Sequence, residues 1–328
     1  MVLVAYRVTV HEGLPVRAVP VPTTTRPPAR GGVVLACLAV AAASAVGVWL
    51  LWRTFVDTWA GQRVEDAAYD GAVIGQGRLW RVAEPVLDVV SVGFLVGALV
   101  TAVGVAVVRR RWGLAVQVAV LVGGANLTTQ VVKHVVLDRP ELGVGADYGN
   151  TLPSGHTTVA ASVGAALLIV APPRVRPLVA VAGAVWTATT GVSTLVGQWH
   201  RPSDVVAAVL VVLGWTALVC AATALRPAVA RTATGGLPRV GGRDPWRART
   251  RRTVVALTVV GVAAGAVSVV LLVQTWALRG ASRTRGGEML AYGGGVSAVV
   301  AASCVMFVTI LLLRHAAGSR DETTASHA

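Results

Sequence analysis

Two histidines, one lysine, two arginines and an aspartate stand in three short polar stretches of an otherwise apolar chain. The middle stretch, Thr151-Leu-Pro-Ser-Gly-His-Thr157, opens onto the apolar run Val159–Ala171. Pro153 cannot occupy a helix interior and Gly155 lets backbone approach a ligand closely, so this reads as a loop entering a helix. The free N–H groups at such a junction, with the positive end of the helix dipole, suit a phosphate. His156 stands there with a side chain able to carry a proton near neutral pH. The last stretch is Trp199-His-Arg-Pro-Ser-Asp204, where Pro202 suits a first helical turn. Asp204 follows His200 by one turn, so it can hold one ring nitrogen and leave the other as nucleophile or base. In the first stretch, Asn126, Gln130 and Lys133 recur at helical spacing and lead to Asp138-Arg139-Pro140. Polar residues within a membrane face the bundle interior, and Lys133 is the only lysine in the chain. Each stretch taken singly has a plain structural counterpart: a snorkelling lysine, a capped helix, an interfacial His-Arg pair with an Asp cap.

The elements that must position these residues are membrane helices. Hydrophobic residues make up 55% of the 328 and charged residues 13%, where a soluble domain carries about a quarter charged. The formal charge of +14 lies in arginine clusters between apolar runs, as cytoplasmic loop charge does. That distribution speaks against a nucleic-acid partner. Cys37, Cys220 and Cys304 each fall inside an apolar run, with no disulfide or metal spacing.

Eight spans are expected: Gly32–Trp52, Val86–Val108, Trp112–Val136, His156–Ala171, Leu178–Val196, Ser203–Leu225, Thr253–Trp276 and Met289–Leu313. The first lacks a small-residue cleavage site and reads as a retained span. Arg53–Glu84 is a polar connection, part helix, at the interface. Residues 1–31 form a flexible tail, 226–252 a basic linker and 314–328 a polar tail. Arg109–Arg111, Arg174/Arg176 and the linker share one side with both termini, which the positive-inside rule makes cytoplasmic. The three polar stretches then face outward. Arg279, Arg283 and Arg285 dissent, since they too fall outside; solvated charge accounts for them, and contact with anionic head groups is the functional alternative. Gly93-x-x-x-Gly97 and Gly261-x-x-x-Gly265 allow close helix packing.

Together, Lys133…Arg139-Pro140, then Pro153-Ser-Gly-His156, then His200-x-x-x-Asp204 resemble the type-2 phosphatidic acid phosphatase family, related to haloperoxidases and bacterial acid phosphatases. The resemblance covers roughly Gly32–Leu225. It implies a six-helix phosphatase core (32–225); with the apolar runs, the expected whole is an all-α polytopic membrane protein in which two additional C-terminal transmembrane helices (253–313) lie outside that core. It further implies hydrolysis of a phosphate ester or anhydride with no metal or cofactor, at the extracytoplasmic face of the cell membrane. His200 would form a phosphohistidine, Asp204 would orient it, and His156 would protonate the leaving oxygen. Lys133, Arg139, Ser154 and the Gly155 N–H would hold the phosphate oxygens. One histidine must be neutral and the other protonated, so a bell-shaped pH–rate profile is expected.

Two departures bear on this expectation. The family usually places six residues between the lysine and the Arg-Pro, whereas His134–Asp138 gives five. On a continuous helix that slip turns the arginine by about 100°, unless Pro140 has already drawn Arg139 out of the helix. The third motif usually opens Ser-Arg, whereas here the pair is Ser193-Thr194. Arg201 is the candidate replacement for the missing charge. The substrate expected is a membrane lipid phosphate or diphosphate, of isoprenoid-diphosphate (undecaprenyl diphosphate) or phosphatidic-acid type. A phosphotransferase with the same site, or an inactive scaffold or transporter that kept the fold, are the alternatives.

Overall fold

The computed structural model describes residues 30–89, 104, 112–145, 149–225, 245–281 and 283–318. The described residues form helices joined by turns and loops, with no strand among them. In chain order the helices are α1 (Arg30–Leu51), α2 (Trp59–Val89), α3 (Trp112–Val131), α4 (Gly155–Val170), α5 (Arg176–Val196), α6 (Pro202–Leu225), α7 (Pro245–Ala277) and α8 (Arg285–Gly318). Among them α1, α3, α5, α6, α7 and α8 are long and apolar enough to cross a membrane. The protein is therefore an all-α polytopic membrane protein. At 16 residues α4 is shorter. The expected span Val86–Val108, the Arg109–Arg111 cluster and the Gly93/Gly97 pair lie outside the described residues, apart from the end of α2 and Gly104.

Helix α6 stands at the centre. It has a buried residue on every side, from Ser203, Asp204 and Val205 to Cys220 and Ala221, whereas α1 and α7 expose Leu35, Leu38, Trp49, Val259, Val262 and Val273. An apolar surface of that kind is stable against lipid. Small residues let the bundle close on α6. A Cβ on Gly124 of α3 would stand 2.8 Å from the Trp215 ring, and the Trp215 Nε1–H donates to Thr128 Oγ1 at 3.0 Å.

The last helix packs within this bundle, against α2, α5 and α6, with α7 along its flank. Ser303, Met306, Phe307 and Ile310 of α8 are fully buried. The Phe307 ring lies on two glycines: a Cβ on Gly183 would come within 2.3 Å of it, and one on Gly164 within 2.9 Å. Gly261 and Gly265 of α7 face Cys304 and Ala301 of α8, which is the close approach that a small-xxx-small pair permits.

Helices α1 and α3 both finish in a wide π turn, Trp52–Val56 and Val132–Val136. After the second, Leu137 is extended (φ −119, ψ 128). The chain has thus left the helix two residues before Arg139, and the five-residue spacing imposes no helical rotation on it.

Gly183→Ala should lower thermal stability in detergent by about 1–3 kcal/mol, because the methyl drives into the Phe307 ring. In a Phe307→Ala background the same change should become neutral or stabilising, as Ala is the better helix former; an unchanged penalty there would show that the ring is not the obstacle.

Candidate active site

The three polar stretches meet at one end of the bundle. They stand where α3 ends and α4 and α6 begin. Ser154 is the N-cap of α4, with its Oγ accepting from the Thr157 N–H at 3.3 Å. Its own N–H donates to the main-chain oxygen of Asp204 at 2.9 Å, which ties the start of α4 to the start of α6. A Cβ on Gly155 would meet nothing closer than the Gln130 amide at 4.0 Å, so the space over that backbone is open.

Asp204 is almost wholly buried, and its carboxylate is fully engaged. Oδ2 faces His200 Nδ1 at 3.2 Å and accepts from the Arg201 N–H at 3.0 Å, and the Thr151 side chain bonds to the same carboxylate. The bond fixes Nδ1 as the protonated nitrogen of a neutral His200 and leaves Nε2 available. The His156 ring lies 6.4 Å from that of His200, centroid to centroid, and 5.2 Å from Trp199. The charge of Lys133 also reaches His156.

Residues 137–145 carry Arg139 and are held from outside the motifs. The Trp52 Nε1–H donates to the Asp138 carbonyl at 2.7 Å and the Gln62 amide to that of Pro140 at 2.9 Å. Asn150 fastens the other side, its amide donating to the carbonyls of Leu137 (2.7 Å), Lys133 (3.2 Å) and Leu152 (3.2 Å). Arg139 and Arg201 each keep one buried nitrogen, Nη2 and Nε, with no hydrogen-bond partner. Arg201 also lies over the Tyr69 ring, 5.5 Å from its centroid. Burial and the neighbouring Arg201 charge hold the Arg139 guanidinium below its usual value. Two neighbouring cations, each with a buried and unpaired donor, have the chemistry to hold an anion. Thr194 takes no part: its hydroxyl turns back to the Gly191 carbonyl at 2.7 Å and is fully buried.

Residues 114–228 match the family model of the PAP2 superfamily. That segment is similar to the PAP2 superfamily. The match covers α3 to α6, including every residue of the three motifs, and is narrower than the Gly32–Leu225 extent that the motifs implied. No curated protein and no solved structure matches the chain. A PAP2 domain among membrane-length helices supports a membrane phosphatase.

Around the PAP2 domain the other helices supply a collar. The first turns of α2 touch the α7–α8 connection, where Arg63 donates to the carbonyls of Arg279 (3.1 Å) and Ala281 (3.2 Å). Arg283 pairs with both Asp66 and Asp70. Burial alone would depress that guanidinium, but its bonds to the two carboxylates hold it above the usual value. Of the three dissenting arginines, Arg283 thus neutralises the acidic connection it faces. Asn150, Thr151 and Gln62 have no counterpart among the expected site residues. Asn150, two residues before Leu152, whose N–H its Oδ1 accepts at 3.1 Å, is the one with a local turn signature.

Asn150→Ala should cost about 1–3 kcal/mol of stability, because it strips donors from buried carbonyls. Asn150→Asp, equal in volume but without the amide donors, should do the same; a harmless Asp variant would mean that only the volume matters.

Proposed function

We propose that the protein is a lipid phosphatase that hydrolyses a membrane lipid phosphate or diphosphate through a phosphohistidine, at the extracytoplasmic face of the cell membrane. The reading rests above all on the buried Asp204 carboxylate at His200 Nδ1. A histidine held so presents Nε2 as a nucleophile in one tautomer without reorganising. His200 Nε2 attacks phosphorus, the bond to the leaving oxygen breaks, and His156 gives that oxygen its proton. Water then attacks the phosphohistidine, His156 takes a proton from it, and phosphate leaves with His200 restored. Lys133, Arg139, Ser154 and the Gly155 N–H hold the oxygens on which charge collects. Arg201, with its unpaired Nε beside Arg139, stands in for the arginine absent at Thr194.

The face follows from charge. Arg174, Arg176 and Arg314 belong to the end of the bundle away from the histidines, and with the Arg109–Arg111 cluster and the basic 226–252 linker expected on the same side they outnumber the cations of the histidine end; the side richer in arginine stays cytoplasmic. A phosphate head would then enter from the outer surface while its chain remains in the bilayer. The domains read as tail 1–31, core 32–225, linker 226–252, closing pair 253–313 and tail 314–328.

Purified protein in detergent with EDTA should release phosphate from an isoprenoid diphosphate or phosphatidic acid, and His200→Ala should abolish the release. No release from any of these by folded protein would overturn the hydrolase reading in favour of a transferase or an inactive relative. Arg201→Ala should lower kcat/KM about a hundredfold, the usual order for loss of one charge-stabilising donor. An active Arg201→Ala beside an inactive Lys133→Ala would remove Arg201 from the phosphate site.

A further inference from the structure

Glu65 is a buried titratable group to which the phosphatase reading gives no part. It belongs to α2, outside the matched segment, and is 3% exposed. Its carboxylate accepts from the Ser203 N–H at 3.2 Å and from the Ser203 hydroxyl at 2.8 Å. That N–H is one of the donors a helix start leaves free, so Glu65 caps the helix that bears Asp204. The charged groups facing it are Asp204 of α6, Arg201 just before that helix, and Arg139. Its neighbour Asp66 on α2 is taken up by Arg283. On its far side lies a cleft of about 160 Å³ walled by Leu51, Phe55, Val206, Leu272 and Ala298, where Glu65 is the only ionisable residue.

We propose that Glu65 is a positioning residue whose protonation decides whether Arg201 and Arg139 are free to bind an anion. Neutral, it holds Ser203 and the first turn of α6 and leaves both guanidiniums to the phosphate. Ionised, it draws them to itself and sets a second negative charge beside Asp204. Of two carboxylates so placed, one ionises well before the other. Asp204 is satisfied by His200, Arg201 and Thr151 and keeps the charge. Burial first, and then the Asp204 charge, push the Glu65 carboxyl up to about 7. The anion site is thus at full strength below that pH and weakens above it. The catalytic consequence rests on the phosphatase reading; the anion binding does not.

The test uses the full chain in detergent and tungstate, which stays a dianion across the range. Wild-type affinity by calorimetry should lose about tenfold between about pH 6 and pH 8 through this carboxyl, as its neutral fraction does, and Glu65→Gln should lack that part of the fall and show a clearly shallower slope. The same slope in both proteins, or no tungstate binding by the wild type, would overturn the proposal. If lipid phosphates are hydrolysed, the alkaline limb of kcat/KM should be shallower in Glu65→Gln than in wild type, keeping only the part that the histidine pair supplies. If none is hydrolysed, the phosphatase reading fails while tungstate still decides the role of Glu65. Folding supplies a separate readout. The folded carboxyl lies above its usual 4.5, at about 7, so its stabilising contribution is whole below the lower value and lost as pH rises to the upper. Thermal stability should fall across that window in wild type and less in Glu65→Gln; equal slopes would show that Glu65 does not titrate there. Glu65→Ala, which removes both acceptors from Ser203, should be less stable than Glu65→Gln at every pH.

Discussion

A carboxylate buried at the head of a central apolar helix must be fully bonded, and that requirement at Asp204 organises this protein. Left without partners, such a charge costs several kcal/mol. Here a histidine ring, a backbone N–H and a threonine side chain share it. Each of those bonds also fixes a piece of chain: the bond to His200 sets a tautomer, and the bond from Thr151 brings in the loop before α4. The Ser154 N–H, bonded to the Asp204 carbonyl, completes the joint. Stability and chemistry rest on the same contacts, so the histidine pair is as rigid as the helix junction that carries it.

Around that joint the protein is built in two shells. The inner one, α3 to α6, holds the three motifs and is the segment that the PAP2 family shares. The outer one holds α1, α2, α7 and α8, and it fastens the polar end through backbone carbonyls and ion pairs: Trp52 and Gln62 on residues 138–140, Arg63 on the α7–α8 connection, Arg283 on two aspartates. Such contacts specify position without demanding a motif, because any carbonyl will accept a hydrogen bond.

The sequence made one shell legible and hid much of the other. His200 and Asp204 meet because residues four apart share a helix face or turn, and a lone lysine beside an Arg-Pro stands out in an arginine-rich chain. Apolar runs marked α1, α3, α5, α6, α7 and α8 for the same local reason. Glu65 meets Ser203 from 138 residues away, and Arg283 meets Asp66 from 217 away; no periodicity carries such pairings. The acidic connection was visible as charge, but its partners were set by how α2 lies across the bundle. The shortened spacing before Arg139 looked like a rotation problem only while α3 was taken to continue, and the π turn with extended Leu137 removes it. Thr194 reads as a loss in the motif, while the unpaired donors of Arg139 and Arg201 emerge only when burial is known.

The seat of Phe307 on Gly164 and Gly183 has a consequence for how the protein is made. Those glycines belong to α4 and α5, which leave the ribosome well before α8 exists. Until the last helix inserts, the groove they form lacks the Phe307 ring, although α5 already has α2 and α4 beside it. The inner shell therefore reaches its final packing only near the end of translation, and a nascent chain halted after α6 would hold every motif residue in an unfinished bundle. The C-terminal pair thus completes the bundle last, after every residue of the three motifs has been made.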